Sequence, residues 1–343
     1  MRKSSLSTLV LTCSLLLSGQ SWARDYQFTD AHLHYLDFFQ ETEGMAKLFS
    51  AMDQAKVQQA MLSGIPVAKK WDEDEPKQPR YYAGDDGDVY WYSATDFILA
   101  EAIQQLPPKQ QQRLHPFLSG FNPSDKNAAQ HVRNLLDTHP KFWQGIGEVF
   151  LRHDDVTALT LGRTPRANNE AMYKVYRVAE EYDLPVLLHS NITSKREPEP
   201  IYLTEMEQVL KDHPRVRFIW AHSGTSLEIH RRQQQLEFLP ETLSKLLANY
   251  PNLTLDLSWS LVNPYLIDRQ TGLPNEQWVQ LVEQYPERFV LGSDLVGKFG
   301  SLEKTLASFT PFLDALSEET AQKVATDNFL NLLPQWVSQA KKH

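Results

Sequence analysis

Apolar residues along this chain follow two alternating rhythms. Short runs, close to continuous in hydrophobicity, occur at Tyr26–Leu33, Gln58–Ile65, Pro116–Phe121, Gly145–Phe150, Pro185–His189, Arg217–His222, Leu253–Ser258 and Phe289–Asp294. A run of this kind suits a strand buried on both faces, which is the situation of a parallel sheet. Between the runs the spacing lengthens to the helical period, as in Asp96–Leu106, Asn168–Tyr182, Leu203–Lys211, Pro240–Tyr250, Glu276–Tyr285 and Leu302–Leu316. Eight such units in one uninterrupted stretch predict an α/β fold: a single-domain (β/α)8 TIM barrel rather than an open doubly wound sheet. No glycine-rich phosphate loop follows the first run, which argues against dinucleotide binding.

The residues that close these runs carry the candidate chemistry, because a barrel of this type places its reactive groups at the C-terminal ends of its strands. The first run ends in Asp30-Ala31-His32-Leu33-His34. Residues two apart on a strand share a face, so His32 and His34 can converge on one divalent ion, with Asp30 placed to support them. Glu148 follows Gly145-Ile146-Gly147 and is either a ligand, a bridge between two metals or a supporting group; pairing with Arg152 is the plain alternative. His189 and His222 close the fifth and sixth runs. A single histidine there is most often a packing residue, but two in equivalent positions favour ligation. Asp294 closes the eighth, where an acid can touch both a metal and its water and serve as general base. Strand-end neighbours Arg152, Asn191, Trp220, Ser223, Trp259 and Lys298 are candidate substrate contacts. His115, His131, His139, His213, His230 and His343 are expected to be solvated, and His153 to lie in a surface turn.

Two connections are long. Pro66–Thr95 carries an acidic stretch and then Tyr81, Tyr82, Tyr90, Trp91 and Tyr92, and Asn191–Tyr202 carries Lys195 and Arg196. Both lie on the catalytic side, and the aromatic one is expected to be a lid. At the N-terminus, Arg2 and Lys3 precede an apolar stretch from Leu6 to Leu17, and Ser21-Trp22-Ala23 forms a small-x-small cleavage pattern. Residues 1–23 thus predict a secretory signal peptide, and 24–343 the barrel domain, exported to the periplasm or the medium. The stretch is shorter than the ~20 residues a membrane span needs, so no membrane anchor is expected. The only cysteine, Cys13, lies in the leader, so disulfides and thiolate sites are excluded from the remainder. Loss of Arg2 and Lys3, with no acid in the leader, takes the net charge from −9 to −11. That acidity argues against nucleic acid as a partner and leaves a small-molecule substrate, with homo-oligomerisation open.

The order His-x-His, Glu, His, His, Asp, together with Thr326-Asp327-Asn328-Phe329-Leu330, resembles the amidohydrolase superfamily, most closely its amidohydrolase-related branch. The resemblance covers Asp30 to about Leu333. It implies one or two divalent metals held by His32, His34, His189 and Asp294. His222 is then either a further ligand or an acid/base group. Zinc is the default ion, and manganese or iron suits the same donors. Many members carry a carboxylated lysine on strand four. Glu148 stands in that position here, which points to hydrolysis of an amide, ester or lactone by metal-activated water. The alternatives are nonoxidative decarboxylation of a small carboxylic acid and a non-catalytic metal-containing binding protein.

Overall fold

The computed structural model describes residues 24–71, 79, 81–82, 88–153, 155–268 and 270–340. The expected leader, the acidic residues 72–78, Asp154 and His343 lie outside them. Eight parallel strands form a nearly closed barrel: β1 Phe28–Asp30, β2 Val57–Leu62, β3 Leu114–Leu118, β4 Gly145–Leu151, β5 Val186–Ser190, β6 Phe218–Trp220, β7 Leu253–Ser258 and β8 Phe289–Gly292, each pairing with the next. Strands β1 and β8 meet through the backbone hydrogen bond from Ala31 N to Leu291 O (2.8 Å). Beyond them, Leu33–His34 pairs in parallel with Leu295–Val296 and continues the seam. All eight predicted runs overlap a barrel strand, most with N-terminal ends within one residue of each other; β3 begins two residues earlier than expected, with Leu114 and His115 buried in it.

Helices cover the outside. In Glu170–Glu181 the buried positions Ala171, Met172, Val175, Tyr176, Val178 and Ala179 recur at helical spacing, and the Asn169 side chain caps the start by accepting from Met172 N (2.8 Å). Met45–Gln54 and Ala128–Thr138 are further helices, with Leu48, Phe49 and Met52 facing inward in the first. Among the described residues three apolar clusters follow, the smallest around Phe38, Ile65, Tyr82 and Phe150. A large one lies between helices and barrel. A smaller one fills the barrel, where Met61, Phe117, Leu187, Ile219 and Val290 meet Phe329 and Leu333 from the C-terminal helices. The C-terminal segment thus plugs one end, leaving polar strand ends to occupy the other. Among the described residues, no helix is long and apolar enough to cross a membrane.

Candidate metal centre

Backbone shape brings the strand-end residues together. On β4 the register slips between Ile146 and Val149, turning Glu148 into the barrel. Gly147 makes this possible: its φ is +127°, and a Cβ there would lie 2.3 Å from Leu187 O. Gly292 similarly makes room for His32, whose Cβ would be 2.4 Å from a side chain at that position. His222 and Asp294 each adopt left-handed φ, 52° and 50°, immediately past their strands. Such conformations are costly for non-glycine residues and concentrate where a side chain must be aimed.

Six residues converge. Glu148 lies between two groups of donors and offers one oxygen to each. Its Oε2 is 3.4 Å from His32 Nε2 and 3.2 Å from His34 Nε2, whereas Oε1 is 2.9 Å from His189 Nδ1 and 3.7 Å from His222 Nε2. Asp294 does likewise from the opposite side: Oδ1 lies 3.5 and 3.4 Å from the Nε2 atoms of His32 and His34, and Oδ2 lies 3.7 Å from His222 Nε2. Among the described residues three ligand groups result: His32, His34, Glu148 and Asp294; Glu148, His189 and His222; and His32, His222 and Asp256, the last with Asp256 on the Nδ1 side of His32.

The outward nitrogen of every imidazole is anchored. His32 Nδ1–H donates to Asp256 Oδ2 (2.9 Å), His34 Nδ1–H to Ser63 Oγ (3.0 Å) and His189 Nε2–H to Asn191 Oδ1 (3.2 Å). His222 Nδ1–H donates to Ser258 Oγ (2.5 Å), which in turn donates to Asp256 Oδ2 (2.6 Å). These bonds assign the tautomers and turn all four inward lone pairs toward the carboxylates, the arrangement typical of metal-ligating histidines. Inward-facing nitrogens only 3.2 Å apart, as in His32 and His34, need a shared cation or proton between them. The donor set, imidazole nitrogen and carboxylate oxygen with its second nitrogens tied, fits divalent first-row metals.

Electrostatics follow from burial and proximity. Burial opposes charging His32, yet Glu148 and Asp294 together hold its pKa well above the usual imidazole value. Burial likewise opposes ionisation of Glu148, but the adjoining imidazoles, His32 above all, hold it well below the carboxylate range. Burial lowers His222.

Above the centre opens a cavity of about 180 Å³. Phe38, Tyr81, Tyr82 and Phe150 wall it, with Tyr81 and Tyr82 each 4.8 Å, ring to ring, from Phe38. Arg231, paired with Glu228, stands at its lining. Of the expected lid, Tyr81 and Tyr82 lie on this wall, while Trp91 and Tyr92 line a separate groove.

The proposed substrate contacts fare differently. Arg152 is turned away: its guanidinium pairs with Glu205 and stacks 3.9 Å over Tyr202. Trp220 is fully buried and donates to Ser190 O (2.7 Å), making it a core residue. Asn191 supports His189 instead of lining the cavity, and Ser223 donates to Asp256 O (3.1 Å). Lys298 is exposed and outside the lining, and the side chain of Trp259 lies outside the described residues. Asp30 accepts backbone N–H bonds from His32 (3.1 Å) and Ser293 (2.9 Å), holding β1 to β8. His153, expected in a surface turn, stacks on His189 at 4.1 Å and lines the cavity. His115, His213 and His230 are buried, not solvated: His115 meets the Phe329 ring and the side chains of Gln59 and Gln144, His213 the rings of Tyr173 and Tyr176, and His230 the Tyr265 ring and Thr225 Oγ1. Asp256 was missed altogether. Its signal was an acid at an alternating position of Leu-Thr-Leu-Asp-Leu-Ser, where the leucines face the outer core and Thr254, Asp256 and Ser258 are buried on the other side.

The family model described as Amidohydrolase matches residues 148–334, just over half of the chain. No curated protein matches significantly. Among solved structures, the chain is similar to an uncharacterised TIM-barrel protein from Bordetella bronchiseptica (15% identity, TM-score 0.57, covering 92% of this chain and 100% of that one). It is also similar to an amidohydrolase from Burkholderia multivorans crystallised with HEPES (14%, 0.53, 90% and 100%) and to a dihydroorotase from Campylobacter jejuni (18%, 0.51, 89% and 82%). At these identities the likeness is one of fold.

Proposed function

The chain belongs to the amidohydrolase family, and on that premise we propose that it hydrolyses a C–N or C–O acyl bond of a small molecule at a two-metal centre. The observation that carries this reading is Glu148, whose two oxygens address two different histidine pairs. A group that only supported a single metal would have no need of that division. His32, His34, Glu148 and Asp294 would hold one ion, and Glu148, His189 and His222 the other. Zinc is the ion we expect, with manganese and iron suited to the same donors. Divalent cations bound here supply Lewis acidity, lowering the pKa of water toward ~7 and polarising an acyl oxygen.

The chain's own residues do the rest. Asp294 is the member of the set most open to the cavity, with its side chain 20% exposed against 5% or less for the others. It accepts the proton of the attacking water as the oxygen–carbon bond forms. It then returns that proton to the leaving nitrogen or oxygen as the acyl bond breaks. Asp256 and Ser258 keep His32 and His222 in the tautomers that face inward. Phe38, Tyr81, Tyr82 and Phe150 exclude water from the flank of the reacting group.

Metal per chain, measured on protein purified without added metal, tests the reading. Wild type should hold two ions, and Glu148→Ala or His222→Ala one or fewer. One ion in wild type, unchanged by both substitutions, would sink the two-metal hydrolase and move CO2 release from carboxylic acids to the front of the substrate screen.

A further inference from the structure

One ring beside the metal centre lines its cavity without belonging to the ligand set. Past β4, Arg152 takes a φ of 40°, and the turn lays the His153 ring on His189 with centroids 4.1 Å apart and planes at 22°. Phe150 at 5.2 Å and Tyr82 at 6.0 Å flank it. The segment closes on itself: Thr157 N donates to His153 O (2.9 Å), and Val156 N donates to His153 Nδ1 (3.5 Å).

An accepting Nδ1 puts the proton of the neutral ring on Nε2. Among the described residues Nε2 has no hydrogen-bond partner, it is not sealed off within the protein, and the ring lines the cavity. A donor is therefore left over for an oxygen of whatever enters. A carbonyl oxygen has two lone pairs, so it can accept this bond whether or not an ion takes the other.

The rest of the lining sets the class of ligand. Phe38 and Phe150 lie with ring planes at 29° and centroids 6.5 Å apart, and Tyr82 closes against Phe38 at 4.8 Å. A flat ring gains edge-to-face and offset contacts there that an alkyl group lacks. Roughly 150 Å³ is enough for one benzene ring, and the cavity offers about 180 Å³. Its charges outside the ligand set are already matched. Arg231, the only lysine or arginine of the lining among the described residues, pairs with Glu228, and Asp155 pairs with Lys195 (2.6 Å). A carboxylate on the ring would have to take Arg231 from Glu228 or lie beside Asp155, and its desolvation opposes both. We propose that the cavity takes an uncharged acyl compound with a single flat ring, its ring against Phe38, Tyr82 and Phe150 and its carbonyl oxygen accepting from His153 Nε2–H. As a substrate class this rests on the hydrolase reading; as a binding preference it does not.

Saturation-transfer NMR on the full chain as purified, with metal counted on the same sample, is the test. Benzamide should bind saturably, and 4-carbamoylbenzoate, the same amide with a carboxylate across the ring, about tenfold or more weaker. His153→Phe keeps a ring on His189 and removes the donor, and it should weaken benzamide about threefold to tenfold. His153→Gln gives up the stack, keeps an N–H and should bind benzamide more tightly than His153→Phe. The comparison of the two amides needs no variant and decides the matter if His153→Phe fails to fold. No saturable binding of benzamide, 4-carbamoylbenzoate bound as tightly, or His153→Phe binding like wild type with His153→Gln weaker would overturn the proposal, the last by reducing His153 to packing. Fewer than two ions per chain beside the expected order of ligands would sink the two-metal hydrolase and leave the preference for an uncharged ring standing.

Discussion

Asp256→Asn probes the support of the metal centre without touching a ligand. Asp256 Oδ2 accepts three bonds: from His32 Nδ1 at 2.9 Å, Ser258 Oγ at 2.6 Å and His222 N at 3.2 Å. In its best orientation an asparagine keeps its oxygen toward all three and loses only the charge. Bonds to a charged acceptor contribute about 1.5–3 kcal/mol each and neutral ones about 0.5–1.5, so the two short bonds together lose on the order of 2 kcal/mol. In the other orientation an NH2 faces His32 Nδ1–H, forcing that ring to the tautomer whose N–H points at the metal. Either way the loss falls on metal affinity, and the expected weakening is about 10–100-fold, as for other carboxylates behind a ligating histidine. The assay is competition for zinc against a chelator of known affinity, with denaturant unfolding of the metal-free chain measured alongside. Asp30→Asn serves as the comparison, because Asp30 accepts from the backbone of His32 and Ser293 and from the Ser293 side chain and touches no imidazole nitrogen. An Asp256→Asn protein with wild-type zinc affinity would refute the assignment of the His32 tautomer and, with it, the support role of Asp256.

Three further outcomes are expected. Asp294→Asn should lower kcat by about 10²–10⁴-fold on any amide, ester or lactone the wild type cleaves, and a smaller loss would remove it as the base. Gly147→Ala should cost about 3 kcal/mol or more in denaturant unfolding, since it adds a Cβ 2.3 Å from Leu187 O at a φ of +127°; a loss below about 1 kcal/mol would contradict the close approach of β4 to β5. Asp96 is fully buried and accepts from Ser119 N and Gly120 N, both at 2.9 Å; burial nonetheless raises its pKa from 3.8 to about 7. The native state thus binds the extra proton between these values, so Asp96 should make stability fall as pH rises from about 4 to about 7 and leave it flat above, with roughly 4 kcal/mol at stake. Asp96→Asn should lack that slope, and parallel pH–stability curves for the two proteins would refute it.

The barrel was legible because both signals that specify it are local. Continuous apolar runs mark the strands, and helical-period amphipathicity marks their covers, so the element order needs no long-range information. The six convergent residues were legible for the same reason: they lie in or just past five of these runs, His32 and His34 sharing the first and Glu148 following the glycines of the fourth. What surrounds them was not. Asp256 sits inside a strand rather than at its end, and only knowing that alternate positions of β7 face the barrel interior picks it out. Arg152, Trp220 and Lys298 also follow or close strands, yet Glu205 holds the first, the core encloses the second and solvent surrounds the third. Their direction depends on partners 53 residues away in one case and on backbone turns in the others, neither of which spacing records. His153 was misplaced because the chain bends after Leu151, where Arg152 takes a φ of 40° and returns the following residue to the cavity.

The seam between β1 and β8 has a consequence for how the barrel is fastened. Asp294 N donates to His32 O (2.7 Å), Gly297 N to His34 O (3.0 Å), and Leu33–His34 pairs with Leu295–Val296. The residues that stitch the first strand to the last are thus the ones that carry His32, His34 and Asp294. An ion shared by those three side chains would act as a clasp, joining segments some 260 positions apart at the one junction of the sheet with no regular ladder. Emptying the centre would then loosen a hoop, and the amides of Ala31, Asp294 and Gly297 would be the first to exchange with deuterated solvent.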